Sequence, residues 1–177
     1  MFDPKSSKTI GYHLFFLPQG ELFNDLKNTI NMLAEKYNGP KFEPHVTLLA
    51  RIPIADEAEL VAKTKQLASV MESFEVEPKA IQAQDTYFRA LYCKAEPNQV
   101  LDKYHQKALD IFGVQDVNVY IPHLSLFYGN VPQSAKDEMI ASLSLPNMKF
   151  WVNKVYLDRT EGEVQDWVRV GEYPLGK

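Results

Sequence analysis

The chain has 177 residues, 45% hydrophobic and 24% charged, which is enough apolar material for one packed core and excludes a disordered or fibrous chain. Its 23 acidic residues outnumber 19 basic ones for a formal charge of −4, and without a run of lysines or arginines this weighs against a protein that grips long nucleic acid by its phosphates. Cys93 is the single cysteine, so no intramolecular disulfide can form; it reads as a small buried strand residue in a reducing compartment.

The opening stretch Met1-Phe2-Asp3-Pro4-Lys5-Ser6-Ser7-Lys8 has no apolar signal core, and no later segment approaches roughly 20 consecutive apolar residues. The expectation is a cytoplasmic protein without a membrane segment. Thr9 to Pro18 is rich in aromatic and aliphatic residues and reads as a first strand, closed by Pro18-Gln19-Gly20. Leu22, Leu26, Ile30 and Leu33 then recur at helical spacing as far as Tyr37, where Asn38-Gly39-Pro40 stops the helix. Phe42 to Ile52 is a second strand. Asp56 is an N-cap for a helix through about Met71, with Leu60, Val61, Leu67 and Val70 on its apolar face.

Phe74 to Gln82 and Thr86 to Ala95 read as two strands with a turn near Gln84-Asp85. Glu96-Pro97-Asn98 opens a helix carrying Val100, Leu101, Tyr104, Ala108, Ile111 and Phe112, ended by Gly113. Ile121 to Tyr128 is the next strand, and a short helix follows from Ser134 to about Leu143. Met148 to Arg159 and Val164 to Tyr173 form a hairpin turned by Glu161-Gly162-Glu163. Strands outnumber helices and are often adjacent, so the fold class is α+β with mainly antiparallel sheet, and no linker divides residues 1–177.

Two of the strands begin alike. Pro44-His45-Val46-Thr47-Leu48 and Pro122-His123-Leu124-Ser125-Leu126 share proline, histidine, an aliphatic residue, a hydroxyl residue and leucine in one order. Alternation along a strand turns His45 and Thr47 to one face and Val46 and Leu48 to the other, and the second copy repeats this with His123 and Ser125. One such pattern arises often by chance. Two, each preceded by proline, in a chain with four histidines, one in each half, suggest a single cleft.

At these residues the chain resembles the 2H phosphoesterase superfamily, named for two His-x-Thr/Ser motifs. It is more closely similar to the cyclic phosphodiesterases of the plant and yeast tRNA-splicing type: Gly39-Pro40-Lys41-Phe42-Glu43-Pro44-His45-Val46-Thr47 resembles their first motif region and Pro122-His123-Leu124-Ser125-Leu126-Phe127-Tyr128-Gly129 their second. The resemblance implies two pseudo-two-fold related lobes around a central cleft. It implies hydrolysis of a small cyclic phosphodiester, ADP-ribose 1″,2″-cyclic phosphate or a nucleoside 2′,3′-cyclic phosphate, to a monoester. Plant members carry disulfides that a chain with one cysteine does not reproduce.

The residue types suit that reaction. An unperturbed histidine titrates near pH 6.5, so of two imidazoles one can accept a proton from water while the other donates one to a departing ribose oxygen. Thr47 and Ser125 can donate hydrogen bonds to the non-bridging oxygens, where charge builds. Tyr128, five residues after His123, is a candidate to reach the phosphate. Phe15, Phe16, Tyr87, Phe88 and Tyr128 are candidate stacking surfaces, with Phe88 a candidate substrate-binding residue. His13 can line the cleft from the first strand, His105 reads as a surface or packing residue, and Arg89 and Lys41 can add positive charge.

A zinc site is disfavoured by histidines too few and too far apart, and Gly-x-Ser-x-Gly and phosphate-binding glycine loops are absent. The expectation is therefore a monomer that uses no metal and no cofactor and takes a small cyclic-phosphate nucleotide. Two other readings stand beside it. An RNA 3′ end as substrate would call for a basic groove beside the cleft, and a non-catalytic nucleotide-binding module would bind without turnover.

Overall fold

Seven strands pair in one antiparallel sheet that carries the two Pro-His motifs on neighbouring strands near its middle. The computed structural model describes residues 3–115, 119–145 and 147–176; Met1 and Phe2 of the polar opening stretch lie outside them. In chain order the elements are β1 (Tyr12–Phe16), α1 (Gly20–Tyr37), β2 (Val46–Ile52), α2 (Glu57–Ser69), β3 (Phe74–Val76), β4 (Pro78–Gln82), β5 (Leu91–Ala95), α3 (Gln99–Phe112), β6 (His123–Phe127), α4 (Gln133–Ser142), β7 (Phe150–Val152), β8 (Lys154–Arg159) and β9 (Val168–Pro174). Single 3-10 turns lie at Tyr87–Arg89 and Val164–Asp166. The large sheet runs β4-β5-β6-β2-β1-β8-β9, and β3 and β7 form a separate pair. The α+β class and the antiparallel pairing are as expected.

The helices begin and end where local chemistry dictates. The Asp56 carboxylate accepts from Ala58 N and Glu59 N at the start of α2, and Asn98 accepts from Val100 N and Leu101 N at the start of α3. Asn38 and Gly113 take left-handed conformations at the ends of α1 and α3, with φ of 55° and 67°. No helix among the described residues is long and apolar enough to cross a membrane.

The expected strands are trimmed or divided: Thr9 to Pro18 yields only Tyr12–Phe16, Phe42 to Ile52 begins at Val46, Ile121 to Tyr128 yields His123–Phe127, and Val164 to Tyr173 begins at Val168. Phe74 to Gln82 divides at Pro78: β3 pairs with β7, whereas β4 pairs with β5. Thr86 to Ala95 yields a strand only from Leu91, because Tyr87–Arg89 is a 3-10 turn. Met148 to Arg159 divides at Asn153 into β7 and β8. The β8–β9 hairpin forms, but its turn is enlarged by the second 3-10 turn.

Alternation separates core from site. Leu14, Phe16, Val46, Leu48, Leu124 and Leu126 are fully buried in the main core, under α1 and α3. Phe16 meets Phe74 edge-on there, which removes it from the candidate stacking residues. The helices also cross-connect the sheet: α1, between β1 and β2, lies against β6, and α3, just before β6, lies against β2. Between β2 and β6 themselves one residue pair, Val46 with Leu124, is in register.

Gly39 shows how closely α1 and the second motif approach. A Cβ there would lie 2.8 Å from the Tyr128 carbonyl oxygen and would overlap the Phe127 ring, so only glycine fits. Gly39→Val is expected to cost about 1–3 kcal/mol of stability through overpacking, read as a lowered urea midpoint. An unchanged midpoint would mean that α1 and β6 are not in close contact.

Candidate active site

The shared proline has a local purpose. In each motif the imidazole Nδ1–H donates to the carbonyl two residues upstream at 2.7 Å, His45 to Glu43 and His123 to Ile121. The intervening Pro44 or Pro122 keeps the residue before it extended, which fixes the direction of that carbonyl. Both rings are thereby held in one tautomer, with the proton on Nδ1 and the lone pair on Nε2. A Pro-His dipeptide entering a strand thus aims an acceptor nitrogen away from the backbone, twice.

The register adds a second relation. Continued one residue each way, the antiparallel pair Val46–Leu124 sets His45 opposite Ser125 and Thr47 opposite His123. Tyr128 extends the first of these pairings: its hydroxyl lies 3.3 Å from His45 Nε2 and donates to it. Burial pushes the Tyr128 phenol up and a hydrogen bond with Ser125 only partly offsets this, so it remains a donor at neutral pH. The Ser125 hydroxyl itself donates to the Phe88 carbonyl at 3.0 Å. Thr47 is half-buried, and its backbone carbonyl accepts from the Tyr120 hydroxyl at 2.9 Å.

Aromatic rings surround His45. Phe15 packs on it with ring centres 4.0 Å apart, and Phe42, which stacks on Tyr128 at 3.9 Å, and Trp167 approach it edge-on. Phe88 lies across Tyr128 and stacks on Trp167. The expected Phe88 is therefore at the site, although on a turn and not on a strand. That turn is tied down by residues remote in sequence, since Tyr87 N donates to the Pro4 carbonyl and Gly129 N to the Tyr87 carbonyl. His123 meets Tyr92 edge-on at 5.3 Å.

The remaining candidates divide. His13 is buried on β1, stacked on Phe15, and its Nδ1 bonds the Thr160 hydroxyl. His105 is a packing residue, buried in α3 with Nδ1 donating to the Leu48 carbonyl; the surface alternative is excluded. Lys41 pairs with Glu35.

Burial sets the protonation states. Desolvation pulls His45 down to about 4 against the pull of the Glu43 carbonyl, and His123 and Arg169 lower it further. His123 also falls to about 4, again by burial first, with the Ile121 carbonyl opposing and Arg89 assisting. His13 falls to about 3 through burial, His45 and Arg51. Without substrate, all three are neutral at pH 7.

A cleft of about 410 Å³ opens beside His45, with Phe15, Phe42 and Trp167 as apolar walls and Asp158, Gln165 and Arg169 among its polar lining. Trp167, Asp158 and Arg169 were not legible as site residues from sequence. The last two are cross-strand partners in β8–β9, brought together by a register shift between Leu157 and Asp158 that a regular hairpin would not have given. Among the described residues no three His, Cys, Asp or Glu side chains are grouped as a metal site would require.

The family model for cyclic phosphodiesterase-like proteins matches residues 10–175. The chain belongs to this family. It is 24% identical over 161 residues to the cyclic phosphodiesterase of Arabidopsis thaliana, covering 86% of each chain. Among solved structures, TT0787 of Thermus thermophilus superposes with a TM-score of 0.62 at 14% identity, over 95% of this chain and all of the other. Escherichia coli LigT complexed with 3′-AMP gives 0.61 at 12% identity, over 96% of this chain and all of the other. These structures share the fold. Membership in the cyclic phosphodiesterase-like family places the chain among hydrolases that act on cyclic phosphodiesters, and the two-histidine resemblance read from its motifs is of the same kind.

Proposed function

We propose that this cyclic phosphodiesterase-like protein opens a small cyclic phosphodiester, ADP-ribose 1″,2″-cyclic phosphate or a nucleoside 2′,3′-cyclic phosphate, with His45 and His123 as its proton-transfer pair. The observation that carries the reading is the matched anchoring of the two rings, each Nδ1 satisfied by a backbone carbonyl so that each Nε2 is the nitrogen presented as proton acceptor, that of His45 to the Tyr128 hydroxyl, which must turn to the phosphate when substrate binds. One imidazole takes a proton from water as its oxygen bonds to phosphorus. The other gives a proton to the ribose oxygen as the ring P–O bond breaks, leaving a phosphomonoester. Thr47, Ser125 and Tyr128 supply hydroxyl donors for the phosphate oxygens, Ser125 by rotating from the Phe88 carbonyl, and His13 backs the site behind Phe15.

Because both imidazoles are neutral without substrate, the proton donor must be charged by the substrate itself. An anionic phosphate brought into a desolvated site raises a neighbouring imidazole's pKa. Binding is therefore coupled to proton uptake.

The cleft walls of Phe15, Phe42 and Trp167 suit a stacked base, and LigT holding 3′-AMP supports a nucleotide. The two cations that line the cleft are paired, Arg169 with Asp158 and Glu43 and Lys41 with Glu35, which favours a small substrate over an RNA 3′ end. The single cysteine supports a reducing, cytoplasmic setting.

The test is hydrolysis of ADP-ribose 1″,2″-cyclic phosphate and the four nucleoside 2′,3′-cyclic phosphates in excess EDTA, set against an RNA oligonucleotide ending in a 2′,3′-cyclic phosphate. Turnover of the small substrates that survives chelation is expected. Faster opening of the RNA end would transfer the reading to RNA, and binding without turnover at any pH would make the protein a nucleotide-binding module.

A further inference from the structure

Arg169 reaches back from β9 to the loop that carries His45. Its Nη2 donates to Glu43 Oε2 at 2.9 Å and its Nε donates to Asp158 Oδ1 on β8. The guanidinium also lies over the Tyr156 ring, 4.7 Å from its centre. Asp158 and Arg169 are register partners in the hairpin, so the sheet aims the side chain. A planar, permanently charged fork held at three points has little freedom left.

What it grips is the residue that sets His45. Glu43 offers its carboxylate to Arg169 and its backbone carbonyl to His45 Nδ1–H. From this geometry we infer that Arg169 is a positioning residue: by clamping the Glu43 side chain from β9 it fixes the carbonyl that holds the ring and tautomer of His45. The inference rests on the reading of His45 as a proton-transfer group. It is specific to one motif, because in the second the carbonyl belongs to Ile121, whose apolar side chain offers no such grip.

The electrostatics follow the geometry. His45 is faced by His13 on β1, His123 on β6, Tyr128 after β6, Asp158 on β8 and Arg169 on β9, with Glu43 on its own loop. Arg169 is among the groups that lower His45. Removing the cation lifts that effect and leaves the Asp158 carboxylate without its partner and Glu43 with only Lys27 of α1, 3.9 Å away, so both changes raise the His45 pKa.

The test compares full-length wild type with Arg169→Ala, Arg169→Lys, Glu43→Gln and the Arg169→Ala/Glu43→Gln double variant, by steady-state kinetics, pH–rate profiles and imidazole ¹⁵N NMR. For Arg169→Ala, kcat is expected to fall about tenfold to a hundredfold, the cost of a small misplacement at a reacting group, with KM changing less. The limb of the pH–rate profile that belongs to His45 moves to higher pH, and the His45 signals lose Nδ1–H character while those of His123 stay in place. Arg169→Lys recovers part of the rate through a single-pronged contact. Glu43→Gln alters a side chain 45% exposed, so it tests the same link without threatening the fold, and its effect is not additive with Arg169→Ala. If Arg169→Ala raises KM alone and leaves kcat and the His45 signals unchanged, Arg169 contacts substrate and the inference is overturned. If replacing His45 itself leaves activity intact, it is the reading of the site that fails.

Discussion

Replacing either His45 or His123 with asparagine is expected to lower kcat by about 10²- to 10⁴-fold, the usual contribution of a general acid or base. Asparagine suits both positions because its amide can donate to the Glu43 or Ile121 carbonyl that holds the imidazole in the wild type. It therefore removes the proton-transfer nitrogen with less disturbance than alanine, which would leave a hole against Phe15 at His45. The two losses should not add. Once one proton transfer is missing the other has no concerted partner, so the double variant is expected to be about as slow as the slower single one. Steady-state rates on a 2′,3′-cyclic mononucleotide decide this. A single variant that keeps more than about a tenth of the wild-type rate is below the smallest effect of a general acid or base and would sink the paired mechanism.

The second large effect is on stability. His13, His45 and His123 titrate in the folded protein at about 3, about 4 and about 4, all below the ordinary value of 6.5. A histidine whose folded pKa is depressed is neutral in both states above pH 6.5 and contributes no penalty there. As pH falls below that value the unfolded chain takes up the proton and the folded protein does not, so stability is lost progressively until the folded values are reached. Each site contributes on the order of a few kcal/mol over that window, and three together are comparable with the whole stability of a domain this size. The melting temperature is expected to fall steeply between pH 6.5 and 4. His13→Gln, which has nothing to titrate, should flatten that fall, and an unchanged slope would show that His13 is not a source of it.

Local chemistry made part of this architecture legible. The Asp56 cap, the helix opening at Glu96-Pro97-Asn98 and the stop at Asn38-Gly39 each depend on a few neighbouring residues and each is where the pattern put it, and the two Pro-His motifs lead into strands as expected, although those strands start later, at Val46 and His123. What pattern could not reach were pairings decided at a distance. Phe74 to Gln82 alternates as one strand, but Pro78 lies where the chain passes from β7's partner to β5's. Tyr87 and Phe88 favour strands by composition, yet the Pro4 carbonyl and Gly129 N–H draw that backbone into a turn. Arg169 meets Asp158 only after an irregularity in the β8–β9 register shifts the pairing. The candidate site divides the same way: the imidazoles and hydroxyls were visible as a repeated word, whereas Trp167 and Arg169 enter it through tertiary neighbours.

The exchange of partners across the Val46–Leu124 pair bears on what a fragment of this protein could do. In the proposed mechanism neither half of the sheet owns a complete set of groups: the segment around His45 draws on the Tyr128 hydroxyl, 3.3 Å from its ring, and on Ser125, and the segment around His123 on Thr47. Duplicating a Pro-His strand supplies the parts twice without supplying a working copy, because each copy is finished only by the other. In the two-histidine mechanism the activity is therefore indivisible. A chain that kept one half would retain none of the rate, not half of it.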